Sequence, residues 1–593
     1  MGEDRRQGIA EGRTTLGIEL GSTRIKAVLV DEDLVPVASG SHEWENEFVD
    51  GRWTYSLEAV ESGVRAAYAD LVADVEAQYG LRPTTFRALG VSAMMHGYLA
   101  FDAAGELLVP FRTWRNTSTG PAAERLSEAF GFNVPLRWSI AHLYQAVLDE
   151  EPHVAEVAGI TTLAGYVHRR LTGRNVLGVG DASGAFPIDP ATHDHDAAML
   201  ATADALLGRP VRPLLAEVLV AGQDAGTLTP EGAAWLDPTG TLEPGVPLCP
   251  PEGDAGTGMV ATNAVAPRTG NVSVGTSIFA MVVLERAMAT PHEELDVVTT
   301  PAGDAVAMVH CNNGASEIAA WARVFGRFAE AANARTGGPA LDTDDVYATL
   351  LAEADRADPD AGGLLSYNYL AGEPVTHVDA GRPLLVRGAG SDFTLGNLVR
   401  AEVQGAFATL AIGMDVLATE DVRVDRMTAH GGLFRTPGTP QRLLAAALRV
   451  PVALEETAGE GGAWGIAVLA AYLGHAADTD LTTYLAEHVF AGDAVHVADP
   501  DERDVEGFRA YLERFRAGLP LQAAAVAATQ PATAGTRAPT QGDPTTAGTR
   551  PPTQGDPTTQ AEPSLSPPAR PDPRWRGDPE PAAGAQTEKE PTR

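Results

Sequence analysis

Residues 14–33, TTLGIELGSTRIKAVLVDED, predict two short strands joined by a tight turn. TLGIEL and IKAVLV are apolar runs rich in β-formers, and Gly21, Ser22 and Thr23 stand at the bend between them. A glycine lets the backbone approach a phosphate group closely, and neighbouring hydroxyls and amides donate hydrogen bonds to its oxygens. Such turns are also common in ordinary hairpins, so this segment alone does not establish a phosphate site.

A similar segment, GNVSVGTSIFAMVVLE at residues 270–285, opens the second half of the chain. Its apolar runs flank Gly275, Thr276 and Ser277, which repeat the glycine and hydroxyl pattern of the first turn. Two like hairpins at the starts of two comparable halves indicate an internal duplication, with a ligand-binding cleft between the halves. Strand-like and helix-like segments alternate along both halves, which predicts an α/β fold with central sheets.

The composition limits the class of function. A chain of 593 residues is too long for one ordinary core and predicts two or more domains. The formal net charge of -36 argues against a nucleic-acid partner, and the sequence shows no uninterrupted apolar run long enough for a membrane helix. Two cysteines, Cys249 and Cys311, form neither a disulfide framework nor a zinc pattern. We therefore expect a cytoplasmic protein without a nucleic-acid or membrane partner.

Composition and motifs divide the chain into four segments. The N-terminal residues 1–13 are polar and are expected to be disordered. Residues 14–264 and 265–520 are the two predicted domains, because the polar segment ATNAVAPRTG separates the first set of motifs from the second hairpin. Residues 521–593 contain the tandem repeat AGTRAPTQGDPTT and AGTRPPTQGDPTT. They hold too few large apolar residues to offset the entropy of ordering and are predicted to be disordered.

Three side chains are candidates for chemistry on a hydroxyl group. Glu19 lies within the first strand, where a buried carboxylate needs a partner such as Mg²⁺; a partly exposed strand end is the alternative. His96 follows a buried strand at a position that opens on a cleft in α/β folds, although a lone histidine is more often structural. Asp254, in CPPEGDAGTGMV, suits a base that accepts a hydroxyl proton, with an N-cap aspartate as the alternative.

Glycine pairs in the second half suit contact with a nucleotide base. Gly431 and Gly432 in AHGGLFRTPGTP, and Gly461 and Gly462 in EGGAWGIAVLAAYL, would let a flat base lie against the backbone. Tight helix packing explains these glycines equally well. Neither a Gly-Lys-Ser/Thr P-loop nor a GxGxxG fingerprint accompanies them, which argues against the standard nucleotide folds of those types.

Together and in this order, the motifs resemble those of the FGGY carbohydrate kinases, within the actin/Hsp70-like ATPase superfamily. The resemblance spans roughly residues 14–515. It rests on GIELGSTRIK, MMHGYLAFD, GDASGAFPID, EGDAGTG, SVGTS, LVRAEVQGAF, AHGGLFRTPGTPQRLLAAAL and EGGAWGIAVLAA. The resemblance implies two RNase H-like domains with a central cleft. ATP and Mg²⁺ are the implied cofactors, and a small sugar is the implied partner.

Carried over by position, the resemblance implies a role for each candidate residue. Asp254 matches the catalytic base, and Met95, His96, Arg115 and Asp181 are the implied sugar contacts. The implied phosphate and nucleotide contacts are Gly21, Ser22, Thr23, Lys26, Gly275, Thr276, Ser277, Gly431, Gly432, Gly461 and Gly462.

Two residues of the first hairpin, Glu19 and Lys26, have implied roles beyond the phosphate loop itself. Glu19 is, with Asp254, an implied metal ligand, although the family usually carries an aspartate where Glu19 stands. Lys26 matches a position that is often lysine or arginine in the family. It lies on the second strand, five residues after Gly21, so we expect it to support the loop rather than contact phosphate directly.

The resulting hypothesis is an ATP-dependent carbohydrate kinase. A pentulose of the xylulose or ribulose type is the expected substrate, from the His-Gly-Tyr stretch and GDASG. Three alternatives stay open: a family member acting on a polyol or an aldonate, a non-catalytic sugar- or nucleotide-binding regulator, and a related ATPase with a non-sugar partner. The sequence does not determine the oligomeric state, and a homodimer is one expectation.

Overall fold

A computed structural model describes residues 2–436, 438–454, 461–492 and 496–529 of the chain. It corrects the prediction of a disordered N-terminus, because Gly2–Ala10 form a helix. Ile9 of this helix is fully buried. Arg5 Nε donates to Asp31 Oδ2 at 3.1 Å, which ties the helix to the end of the first hairpin. Tertiary contacts of a few side chains thus order a segment that is polar overall.

The start of the predicted disordered tail is also helical. Leu521–Thr529 form a nine-residue helix from the alanine-rich sequence LQAAAVAAT, whose residues favour helix formation. Gln522 is buried, and its Oε1 accepts the backbone N–H of Arg382 at 2.7 Å. The prediction of disorder is therefore wrong for these residues, and the part of it that concerns 530–593 lies outside the described residues.

The strands, numbered in chain order, are given first. They are β1 (Thr15–Leu20), β2 (Arg24–Val30), β3 (Pro36–Glu43), β4 (Glu47–Val49), β5 (Arg52–Thr54), β6 (Ala88–Ala93), β7 (Leu99–Phe101), β8 (Gly159–Thr161), β9 (Val176–Gly178), β10 (Ile188–Asp189), β11 (Asp194–His195), β12 (Glu217–Leu219), β13 (Glu252–Gly253), β14 (Thr269–Val274), β15 (Ile278–Val283), β16 (Leu295–Thr299), β17 (Ala305–Cys311), β18 (Leu365–Tyr367), β19 (Leu384–Val386), β20 (Arg426–His430), β21 (Val452–Leu454) and β22 (His496–Ala498).

The α-helices follow the same convention. They are α1 (Gly2–Ala10), α2 (Leu57–Tyr79), α3 (Gly120–Phe130), α4 (Ser139–Leu148), α5 (Leu163–Thr172), α6 (Val179–Ser183), α7 (Ala197–Leu207), α8 (Pro230–Leu236), α9 (Asp254–Ala261), α10 (Ser316–Thr336), α11 (Thr343–Asp355), α12 (Leu395–Thr419), α13 (Thr439–Leu448), α14 (Gly461–Tyr472), α15 (Leu481–Tyr484), α16 (Glu502–Gly518) and α17 (Leu521–Thr529).

Two sheets that share a five-strand core form the two halves of the molecule, and the second sheet has β16 and β22 in addition. The first has the order β13-β6-β1-β2-β3, and the second has the order β16-β17-β15-β14-β20-β21-β22. In each, an antiparallel hairpin, β1–β2 or β14–β15, gains one antiparallel neighbour on one side, β3 or β17. On the other side it gains two parallel strands, β6 and β13 or β20 and β21. This repetition confirms the pair of α/β domains predicted from the two similar hairpins.

The parallel strands determine where the candidate residues meet. Because β1, β6 and β13 run parallel and side by side, their carboxyl ends bring Gly21, His96 and Asp254 to one edge of the first sheet. In the second sheet β14 and β20 run parallel, so Gly275 and Gly431 follow neighbouring strand ends. Ligands of α/β sheets bind at such strand ends, which agrees with the predicted location of the sites.

Helices α9 and α14 join the two halves. Although α14 lies in the second half of the sequence, it packs on β1 and β6 of the first sheet and crosses α9. One buried apolar cluster continues from the first sheet through both helices to Met281 and Met308 on the inner face of the second sheet. The predicted boundary near residue 264 therefore separates sequence motifs, whereas the packing is continuous across it.

Helix α12 is the central helix of the second half. Among the described helices it alone has the length and composition to cross a membrane, but 72% of its most apolar window is buried inside the protein. It also carries the buried polar residues Arg400, Glu402 and Gln404, and Arg400 forms an ion pair with Asp504. These contacts identify α12 as a core helix of this domain.

Glu402 gives a pH-dependent stability prediction. Its carboxyl is buried, Oε2 lacks a hydrogen-bond partner among the described atoms, and loss of hydration raises its pKa to about 7. The folded chain then holds a proton that the unfolded chain releases at the ordinary glutamate pKa, so stability falls as pH rises between these values. We expect Glu402→Gln to raise the free energy of unfolding by about 2 kcal/mol at pH 8 and by little near pH 4.5.

Urea unfolding of both proteins at the two pH values measures this difference. Glutamine keeps the size of the side chain, so packing changes little between the two proteins. Equal effects of the substitution at both pH values would contradict the assignment of a raised pKa to Glu402.

Candidate functional site

Asp254 is the first residue of α9, directly after β13. Gly253 occupies the N-cap position of α9. Asp254 is therefore not an N-cap aspartate, which was the alternative to a catalytic role. Its Oδ1 accepts the backbone N–H of Met95 at 3.1 Å. The side chain is accessible to solvent, yet protein surrounds it closely, and the resulting loss of hydration raises its pKa above the ordinary aspartate value. A fixed, accessible carboxylate of raised pKa can accept a proton from a bound hydroxyl.

Met95 and His96, two predicted sugar contacts, lie beside Asp254 at the end of β6. His96 is buried, has a φ of 73°, and its ring Nδ1 lies 3.2 Å from the carbonyl oxygen of Gly184. A Cβ on Gly184 would lie 2.6 Å from His96 Nδ1 and 2.7 Å from Met95 Cε. The segment that ends α6 therefore packs directly on both residues.

Asp181, the third predicted sugar contact in this group, is fully buried in α6. Its Oδ2 accepts a hydrogen bond from Thr162 Oγ1 at 2.5 Å, whereas Oδ1 has no partner among the described atoms. A Cβ on Gly253 would lie 3.3 Å from Oδ1, which puts this oxygen next to the residue before Asp254. Burial raises the pKa of Asp181 to about 7. The hydrogen bond from Thr162 opposes this rise, and the negative charge of Asp254 adds to it.

Arg115, the fourth predicted sugar contact, makes different contacts. Its guanidinium carbon lies 4.1 Å from the centroid of the Trp53 ring. Asn116 holds this segment to β5, because its Nδ2 donates to the Trp53 carbonyl at 2.8 Å and its Oδ1 accepts the Trp53 N–H at 2.9 Å. Among the described contacts Arg115 has no hydrogen bond or ion pair with Asp181 or Asp254. Its role in sugar binding stays a prediction.

Three residues near His96 were missed by the sequence reasoning. Arg137 forms an ion pair with Asp296 across the two halves of the molecule, and its carbonyl oxygen accepts the N–H of Gly97 at 3.2 Å. His310 lies on the same face of β17 as Met308; burial, with the charge of Arg137, lowers its pKa to about 3. Arg137 and Asp296 are 159 residues apart and carry no local motif, so no sequence signal could have paired them.

The first predicted phosphate loop, Gly21–Thr23, is a turn between β1 and β2 held by two aromatic side chains. Trp44 Nε1 donates to the Gly21 carbonyl at 2.7 Å, and the Tyr55 hydroxyl donates to the Ser22 carbonyl at 2.6 Å. The Thr23 carbonyl accepts the Trp44 N–H at 3.2 Å. Because protein donors engage these carbonyls, the exposed Thr23 and half-buried Ser22 side chains can face a ligand.

The second predicted phosphate loop, Gly275–Ser277, is braced in a similar way. The Gly314 N–H donates to the Thr276 carbonyl at 2.7 Å, and the Ala315 N–H donates to the Gly275 carbonyl at 2.8 Å. Gly431 reaches this loop from β20, with a φ of 115°, so close to β14 that a Cβ would overlap the Val274 carbonyl oxygen. The second loop and the first glycine pair thus lie together.

Gly432, the second glycine of this pair, borders open space. Apart from its two chain neighbours, no described residue has an atom within 4 Å of the position that its Cβ would occupy. A flat ligand could therefore approach the backbone here, as the sequence interpretation requires.

Glu19 and Lys26 face each other across the first hairpin, as directly paired residues of β1 and β2. Both reach the start of α14: a Cβ on Gly461 would lie 3.9 Å from Glu19 Oε2 and from Lys26 Nζ. A Cβ on Gly462 would lie 2.6 Å from Glu19 Oε1. Burial raises the pKa of Glu19, Lys26 opposes this rise, and the charge of Asp254 adds to it. Glu19 therefore lies near a cation, a helix N-terminus and a second carboxylate.

The carboxylates of Glu19 and Asp254 fit a metal ion that also binds phosphate. Mg²⁺ in phosphate-transfer sites usually takes one or two carboxylates, with waters and phosphate oxygens completing its coordination. Burial raises the pKa of Glu19 and the negative charge of Asp254 adds to the rise, and a divalent cation would favour the ionised form of both carboxyls. No group of three or more His, Cys, Asp or Glu side chains that could hold a metal occurs in the described part of the chain.

Comparison with known proteins agrees with the fold and the motifs. The model of the FGGY family of carbohydrate kinases, N-terminal domain, matches residues 14–260, and that of the C-terminal domain matches residues 270–474. The xylulose kinase of Klebsiella pneumoniae is 25% identical over 442 residues, which cover 70% of this chain and 81% of that protein.

Two solved structures have the same fold. The xylulose kinase from Rhodospirillum rubrum has a TM-score of 0.70 at 21% identity, covering 86% of this chain and 99% of that chain. The gluconate kinase from Lactobacillus acidophilus has a TM-score of 0.70 at 18% identity, covering 85% of this chain and 98% of that chain. Because both family models match in order, one in each half of the duplicated fold, the chain belongs to the FGGY family of carbohydrate kinases, sugar kinases that use ATP.

Proposed function

We propose that this kinase phosphorylates a pentulose of the xylulose or ribulose type. The observation that carries the proposal is the grouping of Met95, His96 and Asp181 around the fixed carboxylate of Asp254. Burial lowers the pKa of His96 well below its ordinary value, so this histidine is neutral. The grouped side chains are thus neutral or acidic, which favours an uncharged polyhydroxy substrate over an aldonate. The 25% identity to a xylulose kinase also supports a pentulose.

Asp254 is the proposed general base. It accepts the proton of the sugar hydroxyl while that oxygen attacks the γ-phosphorus of ATP. The bond from the γ-phosphorus to the bridging oxygen breaks, and ADP leaves with the electron pair. A carboxylate whose pKa is raised toward neutral pH is a stronger base than an ordinary aspartate. It therefore accepts the proton of the sugar hydroxyl more readily. The Oδ1 atom of Asp181, which lacks a hydrogen-bond partner among the described residues, and the ring of His96 bind neighbouring hydroxyls in this proposal.

The two loops hold the nucleotide in the same proposal. Gly21–Thr23 and Gly275–Ser277 bind phosphate oxygens, and the glycine pair that begins with Gly431 borders the adenosine. Gly461 and Gly462 pack against Glu19 and Lys26 instead, on the side of the first phosphate loop. Lys26 compensates the charge of Glu19 and keeps the first loop in place. Glu19 and Asp254 would hold Mg²⁺, whose chemistry there is to neutralise charge on the ATP phosphates.

A substrate panel tests the proposal. ADP release is measured with D-xylulose, D-ribulose, L-ribulose, xylitol, glycerol and gluconate at equal ATP. We expect a pentulose to give a kcat/KM at least about tenfold above that of the polyols and gluconate, because each lost hydroxyl contact weakens transition-state binding. The highest value with gluconate or a polyol would contradict the proposed substrate, and no stimulation by any of them would contradict pentulose kinase activity.

A further inference from the structure

We infer that Glu252 is a positioning residue for the sugar site, holding the backbone of Asp181 where its side chain meets the substrate. The inference rests on the proposed function, in which Asp181 binds a sugar hydroxyl. Glu252 lies on β13, two residues before Asp254, and its side chain is buried. It is an acidic residue within a motif that the sequence reasoning examined only for Asp254.

The hydrogen bonds of Glu252 go to the first turn of α6. Its Oε2 accepts the backbone N–H of Asp181 at 2.9 Å, and its Oε1 lies 3.4 Å from the backbone nitrogen of Gly180, which donates to it. A Cβ on Gly178 or on Gly180 would overlap this carboxyl group, so the backbone approaches it as closely as glycine allows. The first turn of α6 is therefore built around the Glu252 carboxyl group.

This contact controls where the Asp181 side chain points. One of its oxygens is held by Thr162, and the other is buried beside Gly253 with no partner in the described part of the chain. An unpartnered buried oxygen at a strand end that also carries Asp254 points to a hydroxyl group of a ligand as its partner. The same short helix is followed directly by its C-cap, Gly184, whose carbonyl oxygen lies 3.2 Å from His96 Nδ1. A shift of α6 would thus displace Asp181 and the partner of His96 together.

Glu373 is a matched control in the second half. It is also buried, and its Oε1 and Oε2 accept the backbone N–H groups of Asn312 and Asn313 at 3.3 and 3.2 Å. The next residue, Gly314, donates to the Thr276 carbonyl of the second phosphate loop. Glu373 thus makes the same kind of contact as Glu252, but it supports the proposed ATP side of the site rather than the sugar side.

Steady-state kinetics of Glu252→Gln and Glu373→Gln test the inference. Glutamine keeps the size of the side chain but replaces one acceptor oxygen by an N–H₂ group, which repels a backbone N–H. We expect Glu252→Gln to raise the KM for the sugar about tenfold, with kcat and the KM for ATP within about threefold. Glu373→Gln should raise the KM for ATP and leave the KM for the sugar unchanged. An unchanged sugar KM in Glu252→Gln, or equal changes in both KM values, would overturn the inference.

Hydrogen exchange separates this inference from the proposed function. In the full chain, peptides covering residues 176–184 should exchange about tenfold faster in Glu252→Gln, while those covering 312–315 keep the wild-type rate. If no sugar supports turnover, faster exchange in 176–184 still supports positioning of Asp181 by Glu252, and the proposed function alone fails. Wild-type exchange in 176–184 overturns the inference whether or not the sugar is phosphorylated.

Discussion

Asp254→Asn is expected to lower sugar-dependent ADP release about 10³-fold. The asparagine side chain keeps the size of aspartate and can still accept the N–H of Met95, but it cannot take up the proton of the attacking hydroxyl. Binding of the sugar should change little, so the loss should appear in kcat rather than in the KM for the sugar. Asp254 is the proposed base because its carboxylate combines solvent access, a fixed oxygen and a raised pKa.

Turnover, sugar binding by calorimetry and a pH profile together check this prediction. In the wild type the acidic limb of kcat/KM should lie above the ordinary aspartate range, because Asp254 must lose its proton before it can act as a base. Asp196→Asn is the matched control: Asp196 accepts backbone N–H groups at the start of α7, which asparagine also does. Full sugar-dependent turnover by Asp254→Asn would rule out the proposed mechanism.

Gly465→Ala is expected to lower the free energy of unfolding by about 3 kcal/mol and to reduce turnover strongly. Gly465 lies on α14 where it crosses α9, and a Cβ there would overlap the carbonyl oxygen of Thr257. The overlap is with backbone, so one helix must move. α9 begins with Asp254, and the Thr257 hydroxyl lies 3.0 Å from Ser92 Oγ on β6, so movement of α9 would disturb the site.

Urea unfolding and steady-state kinetics measure both effects. Gly474→Ala is the control, because a Cβ there would lie 3.6 Å from the nearest atom, the Ala471 carbonyl oxygen, and its cost should stay within about 0.5 kcal/mol. In an uncrowded helix, alanine is more favourable than glycine by about 1 kcal/mol, so the expected destabilisation has the opposite sign to the intrinsic preference. A Gly465→Ala protein of unchanged stability would contradict the close crossing of α9 and α14.

The sequence predicted the elements that depend on a local pattern. The two hairpins follow from short runs of apolar residues with glycine and hydroxyl residues at the bend between them. The N-terminal helix did not follow, because its sequence is polar and its order depends on the burial of Ile9 and on the contact of Arg5 with Asp31. Contacts of this kind are set by the fold and leave no pattern in the segment itself.

The candidate residues of the site could also be identified from local sequence patterns. Asp254, His96 and the two loops each stand in a short motif directly after a strand, so their meeting at the strand ends could be expected. The motif that contains Glu252 gives no indication of the residue that Glu252 contacts, and Arg137 stands in no such motif. Their partners, Asp181 and Asp296, lie 71 and 159 residues away in the sequence.

By itself, the sequence determined the α/β class, the duplication and the segments that carry the kinase motifs. These properties depend on the periodicity of apolar residues and on the spacing of residues within short segments. Only the tertiary structure decided that α14 returns to the first sheet and that Lys26 and Glu19 meet there at its first residues. It alone decided that a buried glutamate holds Asp181. The physical reason is that strand order and close backbone approach create these contacts between distant residues, and neither is encoded in any one segment.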